Sequence, residues 1–234
     1  MPLKRSYQQE LLDQSEIPFE DILLNMQELN TINTLLGGHA ITIDGFKQLL
    51  GDKKKIAVCE IGCGGGDNLV AILKYCKKCN VQVKLIGVDL KQECIDVAIN
   101  NPLLKLNTSF ICSDYKLVQF QEKPDIIFSS LFCHHFKEDQ LVSQLKWMQH
   151  NAVKGFFIND LQRHWLAYFS IKILTQFFSK SYLVKNDAPL SVLRGLIKKE
   201  WKAIFKKALI NQFDIHWKWA FRYLIIYKRS LVNE

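Results

Sequence analysis

Short apolar segments alternate with helical patterns through the middle of the chain. The segments with the length and composition of buried strands are 56–61, 83–90, 108–114, 125–130 and 155–160. Helical periodicity separates most of them, at 67–78, 91–100 and 138–150. Strands joined by helices usually pair in parallel and are covered on both faces, so this alternation predicts an α/β fold with a mostly parallel sheet.

The two ends of the chain depart from this alternation. Pro18 is expected at the first position of a helix that Gly37 and Gly38 end, and a short second helix is expected near 44–50. The C-terminal part predicts, in order, an apolar helix at 161–179, a loop at 180–191, a helix at 191–209 and two strands within 213–228. The expected fold is therefore Rossmann-like, with a seven-stranded sheet, an antiparallel C-terminal hairpin and an N-terminal helical extension.

Composition indicates an ordinary soluble globular domain. Hydrophobic residues make up 48% of the 234 residues and charged residues 23%, which excludes a disordered or collagen-like chain. No apolar run approaches the roughly 20 residues that span a bilayer, and the first residues lack the apolar segment of a signal peptide. The seven cysteines are an odd number in apolar surroundings, so reduced thiols and a cytoplasmic location are expected. Cys76 and Cys79 form a CxxC without a second pair, so no metal is expected.

Basic residues concentrate in the C-terminal third of the chain. Residues 154–234 contain 15 Lys and Arg against 5 Asp and Glu, whereas residues 1–153 contain 16 against 18. Such a basic region suggests an anionic partner, which could be a nucleic acid, a membrane surface or an acyl carrier. A solvated amphipathic helix at 197–209 explains many of these charges equally well, because its lysines fall opposite an apolar stripe.

A glycine-rich turn follows the first predicted strand, in the segment VCEIGCGGGDN at 58–68. Glycines let the backbone approach a ligand closely, and the N-terminus of the next helix offers free N–H groups. The third glycine of the dinucleotide-binding pattern Gly-x-Gly-x-x-Gly is replaced here by Asp67. Because Glu60 adds a second carboxylate beside the turn, a pyrophosphate is disfavoured and a cationic ligand with an amine and a sulfonium is favoured.

At this point the sequence resembles the class I S-adenosylmethionine (SAM)-dependent methyltransferases. Their first motif, acid-x-Gly-x-Gly-x-Gly, is matched from Glu60 to Gly66. The acid that ends their second strand and holds the ribose is matched by Asp89, and the acid that meets the adenine is matched by Asp114. The resemblance implies a SAM site formed by Glu60, Gly62, Cys63, Gly64, Gly66, Asp67, Asp89, Leu90, Asp114, Tyr115 and Ser129.

A narrower similarity links the chain to the ubiquinone/menaquinone-biosynthesis type of methyltransferase, found in bacterial polyketide or aromatic-lipid pathways. The segments that carry it are 29–38, 131–136, 159–164 and 186–195. This similarity implies O-methylation of a small, lipophilic phenolic or aromatic acceptor. It also implies a helical extension at 1–50 packing over the cofactor site and a methyltransferase domain at 51–234, with an acceptor or lid region at about 161–195.

Transfer of a methyl group to a hydroxyl requires a proton acceptor, and histidine is the natural one near neutral pH. His135 is the favoured candidate, with His134 and His164 close behind, although each could merely stabilise its loop. Asp160 and Arg163 could orient the acceptor or the base, and Asp160 could instead cap the next helix. The candidate acceptor-binding residues are Asp160, Arg163, Trp165, Tyr168 and Phe169.

Two other classes of function remain open. The basic C-terminal part suggests an RNA or DNA methyltransferase, but Ser129 to Phe132 replace the Asn-Pro-Pro-aromatic pattern of base-amino methyltransferases, and Cys133 lacks a preceding proline. A non-catalytic scaffold with a SAM fold is disfavoured by the intact acids. We therefore expect a small-molecule acceptor, with transient contact to a membrane surface or carrier protein, and no nucleic-acid partner. The sequence leaves the oligomeric state open.

Overall fold

A seven-stranded sheet forms the centre of the molecule, in a computed structural model that describes residues 4–14 and 16–229. The strand order is β3-β2-β1-β4-β5-β7-β6, with β1 to β5 parallel and β7 antiparallel to both β5 and β6. The strands are β1 Lys55–Ile61, β2 Gln82–Asp89, β3 Thr108–Cys112, β4 Ile126–Ser130, β5 Gly155–Leu161, β6 Asp214–Lys218 and β7 Arg222–Lys228. The prediction of a Rossmann-like sheet with an antiparallel C-terminal hairpin is confirmed.

Helices cover both faces of this sheet. They are α1 Phe19–Leu35, α2 Gly38–Leu50, α3 Asp67–Lys78, α4 Gln92–Ile99, α5 Glu138–Asn151, α6 Trp165–Phe178, α7 Tyr182–Arg194 and α8 Lys198–Lys207. Successive side chains of a strand point to opposite faces, so Phe156 and Ile158 of β5 pack with α5 and α8, whereas Phe157 packs with α2. This alternation produces two apolar cores, one on each side of the sheet. None of the helices in the described ranges is long and apolar enough to cross a membrane.

The C-terminal helices differ from the sequence-based expectation. Residues 180–191 were expected to form a loop, because they contain several polar residues and Pro189, but 182–194 form α7. That prediction is wrong because Leu183, Val184, Leu190 and Val192 are buried on one side of the helix, and burial outweighs the propensity cost of one proline. Gly195 then ends α7, so the helix expected at 191–209 begins only at Lys198.

Other helix boundaries differ from the sequence-based prediction by smaller amounts. Pro18 lies one residue before α1 rather than inside it, and α2 begins at Gly38 instead of near 44. The apolar helix expected at 161–179 begins at Trp165, because Asp160 and Leu161 still pair with β7 as part of β5.

The segment 5–14 crosses over the carboxyl ends of the strands and is fastened to α7. Ser6 N–H donates to the Leu193 carbonyl at 3.0 Å, and the N–H groups of Leu11 and Leu12 donate to the Asp187 carboxylate at 2.8 and 2.9 Å. This segment therefore lies above the edge of the sheet where the glycine turn is found.

Candidate active site

A large cavity of about 1560 Å³ lies beyond the carboxyl ends of the parallel strands. In open α/β sheets this is the edge where ligands bind. The glycine turn, the ends of β2 and β4, segment 5–14, α1 and α6 all contribute to its wall. Its volume exceeds the roughly 300–1,000 Å³ of a usual ligand pocket, so it can hold two ligands side by side.

The glycine turn is shaped by backbone conformations that favour glycine. Gly62, Gly64 and Gly66 have φ values of 68°, 50° and 77°, in the left-handed region where a Cβ is strained. At Gly62 a Cβ would also lie 2.2 Å from the Phe132 ring. The turn is thus fixed in a form that brings its backbone to the cavity, and Gly62, Cys63 and Gly64 line it, whereas Gly66 caps α3.

Asp89, at the end of β2, is held against this turn. One carboxylate oxygen accepts from Gly64 N–H at 2.9 Å and the other from Lys91 N–H at 3.0 Å. Burial raises the pKa of Asp89, while these backbone hydrogen bonds lower it. Because each oxygen keeps a further lone pair and the residue lines the cavity, Asp89 is placed to accept hydrogen bonds from two neighbouring hydroxyls.

The predicted adenine-side residues lie on the next part of the wall. Leu90, Asp114 and Tyr115 all line the cavity, and Leu90 is exposed there. The Asp114 carboxylate accepts from Lys116 N–H at 3.0 Å. Tyr115 packs edge-on against Phe132 with ring centroids 6.2 Å apart. Apolar side chains next to an acid on one stretch of wall suit a flat heteroaromatic ring.

Glu60 contributes a buried carboxylate that is only half satisfied. Its Oε1 accepts from the Asn68 amide at 3.2 Å, whereas its Oε2 has no hydrogen-bond partner in the structure. The pKa of Glu60 is raised well above its usual range, mainly by burial and secondly by the charge of the nearby Asp67. A buried polar oxygen without a partner is costly, and because Glu60 lines the cavity, a ligand ammonium group would satisfy it.

Asp67 links the turn to the N-terminal helices. Its carboxylate accepts from the Asn33 amide at 3.0 Å and lies 2.8 Å from His39 Nε2. Burial alone would raise the pKa of Asp67, but the His39 hydrogen bond and charge lower it. Sequence reasoning gave no role to Asn33, although it lies in segment 29–38, and did not identify His39, because both are distant from Asp67 in the chain.

A histidine–aspartate pair lies on the opposite side of the same cavity. His134 Nδ1 is 2.7 Å from an oxygen of Asp160, and the other Asp160 oxygen accepts from His134 N–H at 3.1 Å. Asp160 is fully buried and His134 nearly so, but His134 lines the cavity. Asp160 therefore orients the histidine ring; the alternative that it caps the next helix is wrong, because its hydrogen bonds go to His134 and to Leu161 N–H.

Segment 5–14 adds a second carboxylate to this pair. Glu10 Oε1 lies 3.5 Å from His134 Nε2, and the Ser191 hydroxyl donates to the same oxygen at 2.8 Å. Burial alone would lower the pKa of His134, but Asp160 and Glu10 together raise it to about 9. The imidazolium form of His134 is thus stabilised from both sides.

His135 and Arg194 complete the cluster. His135 lies 3.4 Å from Asp13 and 3.7 Å from Glu10, and Arg194 Nε is 3.8 Å from Glu10. The donor atoms of Glu10, His134 and His135 lie within 4.8 Å of one another, close enough to hold a metal ion. The Arg194 guanidinium already supplies positive charge to Glu10 and opposes a second cation there. The expectation that no metal is needed stays a prediction.

Several predicted site residues do not reach this cavity. Ser129 is buried with its hydroxyl 3.4 Å from Cys133 Sγ. Arg163 donates to the Gly195 carbonyl and pairs with Glu200 at 2.6 Å. The His164 ring accepts from Leu166 N–H at the start of α6. The cavity lining does not include Ser129, Arg163, His164, Trp165, Tyr168 or Phe169.

The side of α6 that faces the cavity explains why its predicted site residues do not line it. Its cavity-facing residues are Ala167, Ser170, Ile171 and Leu174, so the large aromatic residues of its first turns point elsewhere. An apolar helix gives no sequence signal for which of its sides meets the site, because almost every position is hydrophobic. The predictions for these α6 residues as direct acceptor contacts therefore lack support from their positions.

Comparisons with known proteins agree with this geometry. A family model described as a methyltransferase domain matches residues 58–154. The chain therefore has the Rossmann-like methyltransferase fold, with the matched domain at its centre. The quinone-biosynthesis subtype finds no such confirmation and remains a prediction. A comparison with curated proteins gave no match.

Solved methyltransferases share the fold at low sequence identity. The plantazolicin methyltransferase BpumL, solved with a monoazolic desmethylPZN analog and SAH, is 18% identical with a TM-score of 0.62, over 90% of this chain and 89% of BpumL. Human N-acetylserotonin methyltransferase, solved with SAM, is 15% identical with a TM-score of 0.62, over 91% and 56%. A provisional O-methyltransferase from Nostoc punctiforme PCC 73102 is 13% identical with a TM-score of 0.59, over 86% and 59%. This chain thus spans under two thirds of the length of the last two proteins.

Proposed function

We propose that this methyltransferase transfers the methyl group of SAM to a hydroxyl of a small apolar acceptor, with His134 as the proton acceptor. The observation that carries the proposal is the placement of the His134–Asp160 pair, with its 2.7 Å contact, on the wall of the cavity that also contains the glycine turn. Cofactor-binding groups and a candidate base thus share one cavity.

The residues on the glycine side fit the three parts of SAM. The unpartnered Glu60 oxygen would bind the ammonium group, Asp89 would accept from the ribose hydroxyls, and Leu90 and Tyr115 would pack against the adenine. When bound, SAM supplies an activated methyl group on a positively charged sulfur. The fit rests on an orphaned buried carboxylate oxygen and a turn with little room for side chains.

The residues on the histidine side can move a proton. Asp160 accepts from His134 Nδ1, which leaves Nε2 as the atom that takes the proton of an acceptor hydroxyl. Glu10, 3.5 Å from Nε2, would stabilise the imidazolium that forms. A correctly positioned base contributes about 10²–10⁴-fold to a rate, and orientation of the two reactants contributes further.

Among the three histidines of the sequence prediction, this proposal selects His134. His135 is paired with Asp13 in segment 5–14, and His164 lies at the start of α6 outside the cavity. The cavity wall also includes Phe132, Ile171 and Leu174, which favours an apolar acceptor such as an alkylated phenol.

A methyl-transfer assay with radiolabelled SAM tests this function. We expect labelling of alkylated phenols and none of tRNA or rRNA fragments. His134→Gln should lower the labelling rate by about 10²–10⁴-fold while leaving the affinity for SAH within a factor of about two. His164→Gln, outside the cavity, is the matched control and should keep its rate. Salt-sensitive labelling of RNA without labelling of any phenol would contradict the proposal.

A further inference from the structure

Helix α6 presents an apolar face to the outside of the molecule. Trp165, Leu166, Phe169, Ile173, Leu174, Phe177 and Phe178 are between 41% and 82% exposed. Most of them recur at three- and four-residue intervals, so they lie on one side of the helix. Soluble proteins rarely leave so many large apolar side chains together in water, and such patches usually mark a binding surface.

The β6–β7 hairpin extends this face. The His164 ring stacks on Phe221 with centroids 4.7 Å apart and lies 6.0 Å from Trp165, and Phe221 meets Trp217 edge-on at 6.2 Å. Trp217 and Trp219 of the hairpin are exposed. The aromatic rings therefore form a continuous path from the start of α6 to the hairpin. We call the exposed side chains of α6 together with Trp217 and Trp219 the aromatic face.

Lysines accompany the aromatic face. Residues 161–186 contain Lys172, Lys180 and Lys185 and no Asp or Glu, whereas Arg163 is buried and paired with Glu200. The Glu28 carboxylate of α1 lies at the end of α6, where it accepts from Lys180 N–H at 2.8 Å. Lys172 and Lys180 are exposed. An apolar face rich in tryptophan and phenylalanine and bordered by lysines has the composition that binds at the headgroup level of an anionic bilayer.

The aromatic face also borders the opening of the cavity. Leu174 and Trp219 are exposed and at the same time line the cavity, and Ile171 lines it from the next turn of α6. A molecule dissolved in lipid that met this face could therefore reach the space in front of His134 without crossing bulk water.

We propose that the aromatic face docks on the surface of an anionic lipid membrane and admits a lipid-dissolved acceptor to the cavity. Aromatic side chains enter the headgroup region, while Lys172 and Lys180 attract the lipid phosphates. Docking depends only on the exposed residues, whereas its role in acceptor delivery rests on the proposed function. The aromatic face lies within the basic region 154–234 for which the sequence suggested an anionic partner, and α6 carries most of its apolar side chains.

Sedimentation with lipid vesicles tests the docking. The full chain is mixed with vesicles of phosphatidylcholine alone or with added phosphatidylglycerol. We expect binding to the anionic vesicles that weakens in salt. The double variant Phe177→Gln/Phe178→Gln should bind about a hundredfold more weakly, because full burial of each phenyl group is worth at least about tenfold. Lys172→Gln should reduce binding about fivefold.

A matched control variant separates the aromatic face from apolar exposure in general. Leu106→Gln/Leu117→Gln removes two highly exposed apolar side chains beside β3, at the other edge of the sheet, and should leave vesicle binding unchanged. Equal binding by the Phe177/Phe178 variant and the wild type would refute the proposal. So would a wild-type dimer in sedimentation equilibrium that becomes a monomer in this variant while neither binds vesicles, since a second copy would then cover the face.

The proposed function can fail independently of this inference. SAH binding by calorimetry and methyl transfer to a water-soluble phenol should be the same in the Phe177→Gln/Phe178→Gln variant and the wild type. If vesicle binding is absent while SAH binds, only the docking proposal is wrong. If SAH does not bind at all, the proposed function is wrong whatever the vesicles show.

Discussion

The pH dependence of methyl transfer should reveal the two carboxylates that flank His134. The pKa of His134 is about 9, against 6.5 for an ordinary histidine. Since one pKa unit corresponds to about 1.36 kcal/mol, the surroundings stabilise the imidazolium by about 3 kcal/mol. A base must be unprotonated, and at pH 7 only about one His134 in a hundred is neutral. We therefore expect log(kcat/KM) to rise with pH up to about 9.

Two variants measure separately how much Asp160 and Glu10 contribute to the raised pKa of His134. Asp160, at 2.7 Å, raises the pKa of His134 more than Glu10, at 3.5 Å. Glu10→Gln should thus shift the rise of log(kcat/KM) to lower pH. Asp160→Asn should shift this rise further and should also lower the maximum of kcat/KM, because the His134 ring loses the carboxylate that orients it. Other ionisable groups near His134 include His135, Arg194 and Arg5, of which the two arginines donate hydrogen bonds to its carbonyl.

A control variant lies in the same segment as Glu10. Asp13→Asn removes one carboxylate that contacts His135 and Arg194 rather than His134. It should therefore leave the pH range over which log(kcat/KM) rises nearly unchanged. The assay is the initial rate of phenol methylation at saturating SAM across pH 6 to 10, with circular dichroism to confirm folding. If log(kcat/KM) rises over the same pH range in Glu10→Gln, Asp160→Asn and the wild type, His134 is not the group that takes the proton.

Two further results are expected. The raised pKa of His134 means that its ion pairs stabilise the fold fully below about pH 6.5 and are lost as pH rises through about 9; the melting temperature of the wild type should fall over that window, and His134→Gln should flatten the curve. Gly62→Ala should cost roughly 1–3 kcal/mol of stability and weaken SAH binding, because its φ is positive and its Cβ would meet Phe132. Gly65→Ala, which has neither problem, is the control in chemical denaturation, and equal stability of the two variants would contradict the strain argument.

Local sequence patterns were sufficient to predict the sheet. The strands β1 to β5 have continuous apolar runs, and short-range periodicity marks α3 to α5, so their order along the chain predicts the parallel topology. Helix α7 was missed because its burial depends on contacts with α6 and α1, which no local pattern contains. A proline and several polar residues then outweighed its apolar positions.

The candidate site shows the same limit of sequence-based prediction. Residues within motifs could be predicted, whereas residues brought together only by the fold could not. Glu60, Asp89 and Asp114 belong to motifs tied to strand ends, so sequence alone placed them near the cavity. Glu10 could not be found, because it meets His134 across more than a hundred residues of chain. The choice between His134 and His135 also needed the fold, since both lie in one turn and only His134 reaches Asp160 of β5.

The proposal that the cavity binds SAM is tested most directly by calorimetry with SAH on the wild type, Asp89→Ala and Asp214→Ala. Asp214 is an exposed carboxylate in β6, far along the sheet from β2. We predict low-micromolar binding to the wild type and Asp214→Ala, and binding roughly 10- to 140-fold weaker to Asp89→Ala, as the loss of charge-assisted hydrogen bonds worth about 1.5–3 kcal/mol requires. Binding of NAD without a response to SAH, or equal SAH affinity in a folded Asp89→Ala, would contradict the account.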